Sequence, residues 1–176
     1  IQGNFTNNGV VVLNGTDRLI INGEYDENER NLHISNIANG NNCVIRLVGN
    51  SVVTGCNDIT IRNCVIEGVN QLEYISHGIL LGGSTISSTP EGFGHNNVKI
   101  ENNWIKNVNY GINAYSNSSS SNNNLQILNN EIGSDEIYGE YIGQIGINLN
   151  YCPGSIISNN HIFNISHFSN QRACAI

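Results

Sequence analysis

One phrase recurs along this chain with its spacing intact: an aliphatic, any residue, Ile, any residue, a polar pair, any residue, Ile. It reads Ile59-Thr-Ile61-Arg-Asn63-Cys64-Val-Ile66, then Val98-Lys-Ile100-Glu-Asn102-Asn103-Trp-Ile105, then Leu125-Gln-Ile127-Leu-Asn129-Asn130-Glu-Ile132. A fourth copy, Ser155-Ile-Ile157-Ser-Asn159-Asn160-His-Ile162, lacks only the first aliphatic. Self-similarity of this kind fixes the architecture before any other feature, because the same backbone path must be traced repeatedly with like residues laid on like.

The phrase extends in both directions. Three residues after its last Ile comes another aliphatic (Val69, Val108, Ile165), and later a Gly-Ile element: Gly78-Ile79-Leu-Leu81, Gly111-Ile112-Asn-Ala114, Gly146-Ile147-Asn-Leu149. Each copy therefore predicts three short strands, one before the polar pair, one after it, and one at the Gly-Ile element. An earlier, diverged copy fits the same frame, with Leu19-Ile-Ile21, then Ile34 and Ile37, then Val44-Ile45-Arg-Leu47. Before it, Val10-Val-Val-Leu13 reads as a third strand whose first and second are missing.

Alternation over three or four residues followed by a sharp polar corner is the pattern of strand, corner, strand. No stretch carries the i, i+3, i+4, i+7 spacing of an amphipathic helix. The prediction is an all-β fold, a right-handed parallel β-helix (a pectate-lyase-like solenoid) of about five coils stacked about 4.8 Å apart. Residues 1–176 form a single such segment. Ile61, Ile100, Ile127 and Ile157 should form one inward column. Their spacings of 39, 27 and 30 residues put the length variation in loops at 83–97, 117–124 and 133–144, expected on one loop-bearing face. A leucine-rich repeat would need Leu at fixed positions and a steadier period. A left-handed β-helix would need hexapeptides, and an immunoglobulin-like sandwich gives like residues no reason to recur in register.

Asn accounts for 34 of the 176 residues. A coil that turns sharply needs backbone in the left-handed region, which Asn tolerates better than other non-glycine residues. Its amide also carries both donor and acceptor, so stacked Asn side chains can bond to one another and to corner backbone. Two such ladders are predicted, Asn63/Asn102/Asn129/Asn159 and Cys64/Asn103/Asn130/Asn160. Only Asn117 through Asn124, a run of Asn and Ser, is expected to be disordered.

The formal charge of −7 and two Lys (Lys99 and Lys106) exclude a nucleic-acid partner, which requires clustered cations. No apolar run approaches a membrane span, so membrane insertion is not expected. The absence of Met suggests a piece of a longer repeat protein, the rest of which would be this segment's first partner. Five Cys (Cys43, Cys56, Cys64, Cys152, Cys174) lack metal-ligand spacing. Buried free thiols are the expectation, with a Cys56–Cys64 or Cys43–Cys64 bridge as the alternative.

Candidate chemistry is sparse. The 14 acids place no two carboxylates at equivalent outward positions of adjacent coils, as glycoside hydrolysis would want. Glu24, Asp26, Glu27 and Glu29 read as a charged hairpin tip and not as a calcium loop. Ser76-His77-Gly78-Ile79 is similar in part to the Gly-His-Gly element of polygalacturonases, whose Asp-Asp and Arg-Ile-Lys elements have no counterparts here; His77 is expected at the surface. Trp104, Tyr110 and Tyr115 cluster in one copy and are the candidate glycan-stacking residues, with Trp104 exposed in an outward file with Val65, Glu131 and His161. No metal or cofactor is expected.

Val11-Val-Leu-Asn-Gly-Thr-Asp-Arg-Leu-Ile-Ile-Asn-Gly23, Asn31-Leu-His-Ile-Ser-Asn36, Val44-Ile-Arg-Leu-Val48, Ile59-Thr-Ile-Arg-Asn-Cys64 and Ile157-Ser-Asn-Asn-His-Ile162 resemble the parallel β-helix repeat regions of very long secreted surface proteins of Bacteroidetes-type bacteria. That resemblance implies export by the type IX system and a place at, or shed from, the cell surface, with secretion machinery and surface polysaccharide as partners. The expected function is a non-catalytic extracellular stalk or adhesive surface. The alternatives are a carbohydrate-active β-helix enzyme (lyase, hydrolase or epimerase) and a glycan-binding module.

Overall fold

The computed structural model describes residues 1–26, 29–49, 54–69, 74–90, 92, 94–135 and 141–165. Glu27, Glu73, Glu91, Glu136, Glu140 and Cys174 lie outside them. Within the described residues every regular element is a strand, and all sixteen lie in three parallel sheets.

Each copy of the phrase supplies its strands in a fixed order. The strand before the polar pair gives β3 (Asp17–Asn22), β6 (Asn57–Arg62), β9 (Lys99–Glu101), β12 (Gln126–Leu128) and β15 (Ile156–Ser158), which form the first sheet. The strand after the pair gives β1 (Gln2–Gly3), β4 (Leu32–Asn36), β7 (Cys64–Glu67), β10 (Trp104–Lys106), β13 (Glu131–Ile132) and β16 (His161–Ile162), the second sheet. The Gly-Ile element gives β2 (Gly9–Asn14), β5 (Asn42–Val48), β8 (Ser76–Gly82), β11 (Val108–Tyr115) and β14 (Ile142–Asn150), the third. This is an arrangement compatible with a parallel β-helix. One correction concerns the first residues: β1 pairs with β4 through Gln2↔Ser35, so a second strand does precede Val10–Leu13.

Register makes the columns explicit. Ile21, Ile61, Ile100, Ile127 and Ile157 stand opposite one another in succession, as do Ile34, Ile66, Ile105, Ile132 and Ile162. Val11, Ile45, Ile79, Ile112 and Ile147 form the third column. Most of these side chains are fully buried in one core. Removing each from water contributes roughly 1.5–3 kcal/mol.

The glycine of the Gly-Ile element has a steric cause. A Cβ at Gly78 would meet Cγ2 of Ile105 and the Gly111 carbonyl, and one at Gly111 would meet the Gly146 carbonyl and Cγ2 of Ile132. Both positions point at the second sheet's Ile column and leave no room for a methyl group.

The corners carry the asparagines. Asn63, Asn102, Asn129 and Asn159 have φ of 57°, 50°, 55° and 55°, the left-handed region the corner requires. Outside, the Asn102 amide donates to Asn63 Oδ1 (2.7 Å) and the Asn63 amide to Asn22 Oδ1 (2.8 Å). Inside, Asn103 Nδ2 donates to the Ile61 carbonyl (3.0 Å) and to Asn130 Oδ1 (3.1 Å). Asn130 Nδ2 repeats this with Ile100 (3.0 Å) and Asn160 Oδ1 (2.9 Å). Cys64 ends the inner file, its N–H donating to Asn103 Oδ1 (3.1 Å).

A further pair of ladders stands at the corner before the first sheet. Asn123 donates to Asn96 (2.7 Å) and Asn96 to Asn57 (2.9 Å). Beside them Asn124 donates to Asn97 (3.1 Å) and Asn97 to Asp58 (2.9 Å). Asn122 is fully buried behind them. The Asn117–Asn124 run is therefore not a disordered loop: its second half is a rung of the stack. Nor do the long insertions share one face. Those at 83–97 and 117–124 follow the third sheet and that at 133–144 follows the second, since each corner is free to lengthen without disturbing the strands.

Candidate functional site

Period-two alternation decides what the second sheet shows outward. With Ile66 and Ile105 pointing inward, Val65 and Glu67 of β7 and Trp104 and Lys106 of β10 point out. Their register partners extend two outward files: His33, Val65, Trp104, Glu131 and His161 in one, and Ser35, Glu67 and Lys106 in the other.

Glu67 is the hub of this face. Its Oε2 lies 2.8 Å from Nε2 of His33 and its Oε1 4.0 Å from Nζ of Lys106. The Asn107 amide donates to Oε1 at 2.9 Å. Lys106 lies along the indole of Trp104 with Nζ 3.9 Å from the ring centroid, a cation–π contact that holds the ammonium beside the carboxylate. Next to the cluster opens a cleft of about 510 Å³ whose polar wall is Gln2, His33, Ser35, Glu67, Asn107 and Tyr141 and whose apolar wall includes Ile37 and Val69. A carboxylate steadied by an imidazole, an ammonium and an amide is a fixed acceptor for hydroxyl or amide hydrogens. The nearest outward acid along the sheet, Glu131, lies two coils away, at least about 9.6 Å by strand spacing, and is occupied by Arg30 at 2.8 Å.

The predicted aromatic trio is not assembled. Trp104 is half-buried and not exposed, because Lys106 covers one face and its Nε1–H donates to the Gly133 carbonyl at 2.8 Å. Tyr110 and Tyr115 belong to β11, in the third sheet. Tyr110 is buried, its hydroxyl 2.6 Å from Gln144 Oε1 and its ring 4.9 Å from that of His77. Tyr115 is half-buried.

His77 also departs from expectation, being fully buried. The insertion after β8 folds back over the outer face of the third sheet: His77 Nε2–H donates to Ser87 O (3.1 Å), Asn113 Nδ2 to Ser88 O (3.2 Å) and Arg46 Nη2 to Gly83 O (2.8 Å). Burial lowers the His77 pKa to about 3. The same insertion delivers His95 into a buried corner column between Cys56 and Asn122, where His95 Nδ1 accepts the Cys56 N–H (3.0 Å) and the His95 N–H donates to Asn122 Oδ1 (2.9 Å). Burial holds its pKa down at about 4.

Cys43, Cys56 and Cys64 are buried free thiols and Cys152 is a half-buried one. Burial raises Cys43 to about 12 and Cys64 to about 11, so neither is an available nucleophile or ligand. Neither the Cys56–Cys64 nor the Cys43–Cys64 bridge forms, because the three thiols sit in different parts of the coil. Glu29 accepts from Asn31 at 3.0 Å, and among the described residues no group of three or more His, Cys, Asp or Glu could hold a metal ion.

One signal for the Glu67 cluster was present in the repeat. Glu67 follows Ile66, and Lys106 follows Ile105: opposite charges at one position of adjacent copies. No family model, curated protein or solved structure matches this chain.

Proposed function

We propose that the chain is a right-handed, pectate-lyase-like β-helix of about five coils, a segment of a long secreted surface protein of the Bacteroidetes type, exported by the type IX route. In it the segment serves as a stalk whose second-sheet face is the adhesive surface, outside the cell. The observation that carries this reading is the unbroken register of the three aliphatic columns, with stacked Asn side chains at their corners. It accounts for every repeated residue as part of a stiff axial stack. Right-handed winding follows from the strong preference of parallel crossovers for that hand. The test is incubation of the purified chain with polygalacturonate and with alginate, following unsaturated uronates and reducing ends. No release is expected. Cleavage of either polymer overturns the non-catalytic reading in favour of a carbohydrate-active enzyme.

A second reading has its own support in the Glu67 cleft, where a fixed acceptor lies beside apolar walls formed by Ile37 and Val69. That combination suits a saccharide, and makes the cleft, in place of Trp104, Tyr110 and Tyr115, the glycan-binding centre. Affinity electrophoresis through polysaccharide-loaded gels tests it: retardation of the wild-type chain should be lost with Glu67→Gln. Retardation unchanged by that substitution counts against the cleft.

A further inference from the structure

A separate cleft of about 330 Å³ opens at the corner between the first and second sheets, lined by Glu24, Arg62, Asn63, Glu101, Asn102 and Asn129. Arg62 projects from the outer face of β6, in register with Asn22 on one side and Glu101 on the other. Glu101, its natural partner, is instead held by Lys99 at 2.8 Å. The amide of Asn63 is committed to Asn22 and, at 3.3 Å, to Glu24. That of Asn102 is committed to Asn63, while its Oδ1 accepts from Arg30 at 3.1 Å. Among the described residues the Arg62 guanidinium has no ion-pair or hydrogen-bond partner, and its Nε is buried without an acceptor. Asn129, the next rung, is exposed, and the ladder bonds joining Asn22, Asn63 and Asn102 do not extend to it.

We propose that this cleft binds a monoanionic carboxylate that carries neighbouring hydroxyl or amide groups. The planar fork of a guanidinium matches a carboxylate in two parallel bonds, and Arg62 is a half-buried fork with no partner of its own. Glu24 and Glu101 flank it, and their like charge penalises a dianion such as phosphate more than a single carboxylate. The oxygens of those acids and the amide of Asn129 then meet the hydroxyl or N–H groups beside the bound carboxylate. Sugar acids and peptide carboxyl termini share this chemistry. The site is independent of the Glu67 cleft, so failure here leaves the reading of the second-sheet face standing.

The test is a nitrogen-15 NMR titration of the whole 176-residue chain with sodium glucuronate, N-acetylglycine, inorganic phosphate and methyl glucoside. Saturable shifts at Arg62 Nε–H and the Asn129 side-chain amide with at least one carboxylate, and none with methyl glucoside, are expected. The tighter of glucuronate and N-acetylglycine names the source. R62Q should weaken binding about ten-fold or more while leaving the remaining spectrum in place. Should R62Q fail to fold, N129D places a third acid at an exposed, left-handed position that Asp tolerates, and should weaken binding several-fold. Absence of saturable shifts with both carboxylates, phosphate binding as tight as theirs, or affinity unchanged in the folded variant overturns the proposal.

Discussion

Two neighbouring asparagines at one corner show how differently the same side chain can work. Asn103 is fully buried and serves the Ile61 carbonyl, Asn130 Oδ1 and the Cys64 N–H together. Replacing it with Ala strands two buried groups, the Ile61 carbonyl and the Cys64 N–H, each costing about 1–3 kcal/mol, while Asn130 Oδ1 keeps the Asn103 backbone N–H at 3.0 Å. Asn103→Ala should therefore lower unfolding free energy by roughly 3 kcal/mol or more in urea. Asn102 faces outward with φ of 50°, and its main contribution is tolerance of that backbone. Asn102→Gly should stay within about 1 kcal/mol of wild type, whereas Asn102→Val, β-branched in a left-handed corner, should cost clearly more. Equal losses for Asn102→Gly and Asn103→Ala would contradict the division of labour.

The buried histidines give a residue-scale prediction in pH. His77 and His95 titrate near 3 and 4 in the folded chain, against an ordinary value of 6.5 in the unfolded one. The unfolded state binds protons first as pH falls, so stability is fully present above pH 6.5 and drains away from there down to about pH 4 and below. Each histidine accounts for a loss on the order of 3 kcal/mol. Protonating His95 Nδ1 also turns the acceptor of the Cys56 N–H into a donor facing a donor. In His95→Asn an amide oxygen can accept that N–H as Asn122 accepts the next. Urea unfolding at pH 7 and pH 4.5 should show a smaller drop for His95→Asn than for wild type. An unchanged drop would mean that His95 does not carry the acid sensitivity.

Among the elements, the strands and their order were legible because inward side chains stack on their equivalents in adjacent coils, which enforces likeness at Ile61, Ile100, Ile127 and Ile157. The Gly-Ile element was legible as a pattern, though not as a cause: Gly111 is small because Ile132 and the Gly146 backbone occupy the space a methyl would need. Gly111→Ala should cost about 1–3 kcal/mol by overpacking and lower the thermal midpoint by at least about 2 °C. A midpoint equal to that of wild type would show that the second and third sheets can separate there. The corner before the first sheet was not legible. What its rungs share is left-handed backbone, at Arg18, Asp58, Asn97, Asn124 and Gly154 (φ of 56°, 54°, 52°, 55° and 70°), and four dissimilar residue types at those five positions conceal that common demand. Of the Glu67 cluster only the opposite charges after Ile66 and Ile105 were legible, and the burial of His77 was hidden for another reason. Insertions fold back over outward faces, as 83–97 does over His77, and a repeat frame says nothing about where its interruptions go.

At the scale of the molecule, a stack whose coils touch only their neighbours gains stability from each interface in turn, so cooperativity along its axis is limited. Burial already grades along the column: Ile61, Ile100 and Ile127 are fully enclosed, while Ile21 and Ile157 are only partly so. Coupling across non-adjacent coils needs a side chain that skips one, and Arg30 does this. From the loop between β3 and β4 it donates through Nε to the Asn102 carbonyl (2.9 Å), through Nη2 to Asn102 Oδ1 (3.1 Å) and through Nη1 to Glu131 (2.8 Å). It thus ties the first of these coils to the third and fourth. Native-state hydrogen exchange should find the slowest amides in β6, β9 and β12 and faster ones in β3 and β15. Arg30→Ala should accelerate exchange in β3 and β4 by several-fold while leaving β9 and β12 as they were. If exchange rises by one factor in every strand, the chain unfolds as a single unit and Arg30 is not a tie between separable coils. If it rises only near Arg30, the stack behaves as a chain of weakly coupled turns, and the loop that carries Glu24, Asp26 and Glu29 is its clasp.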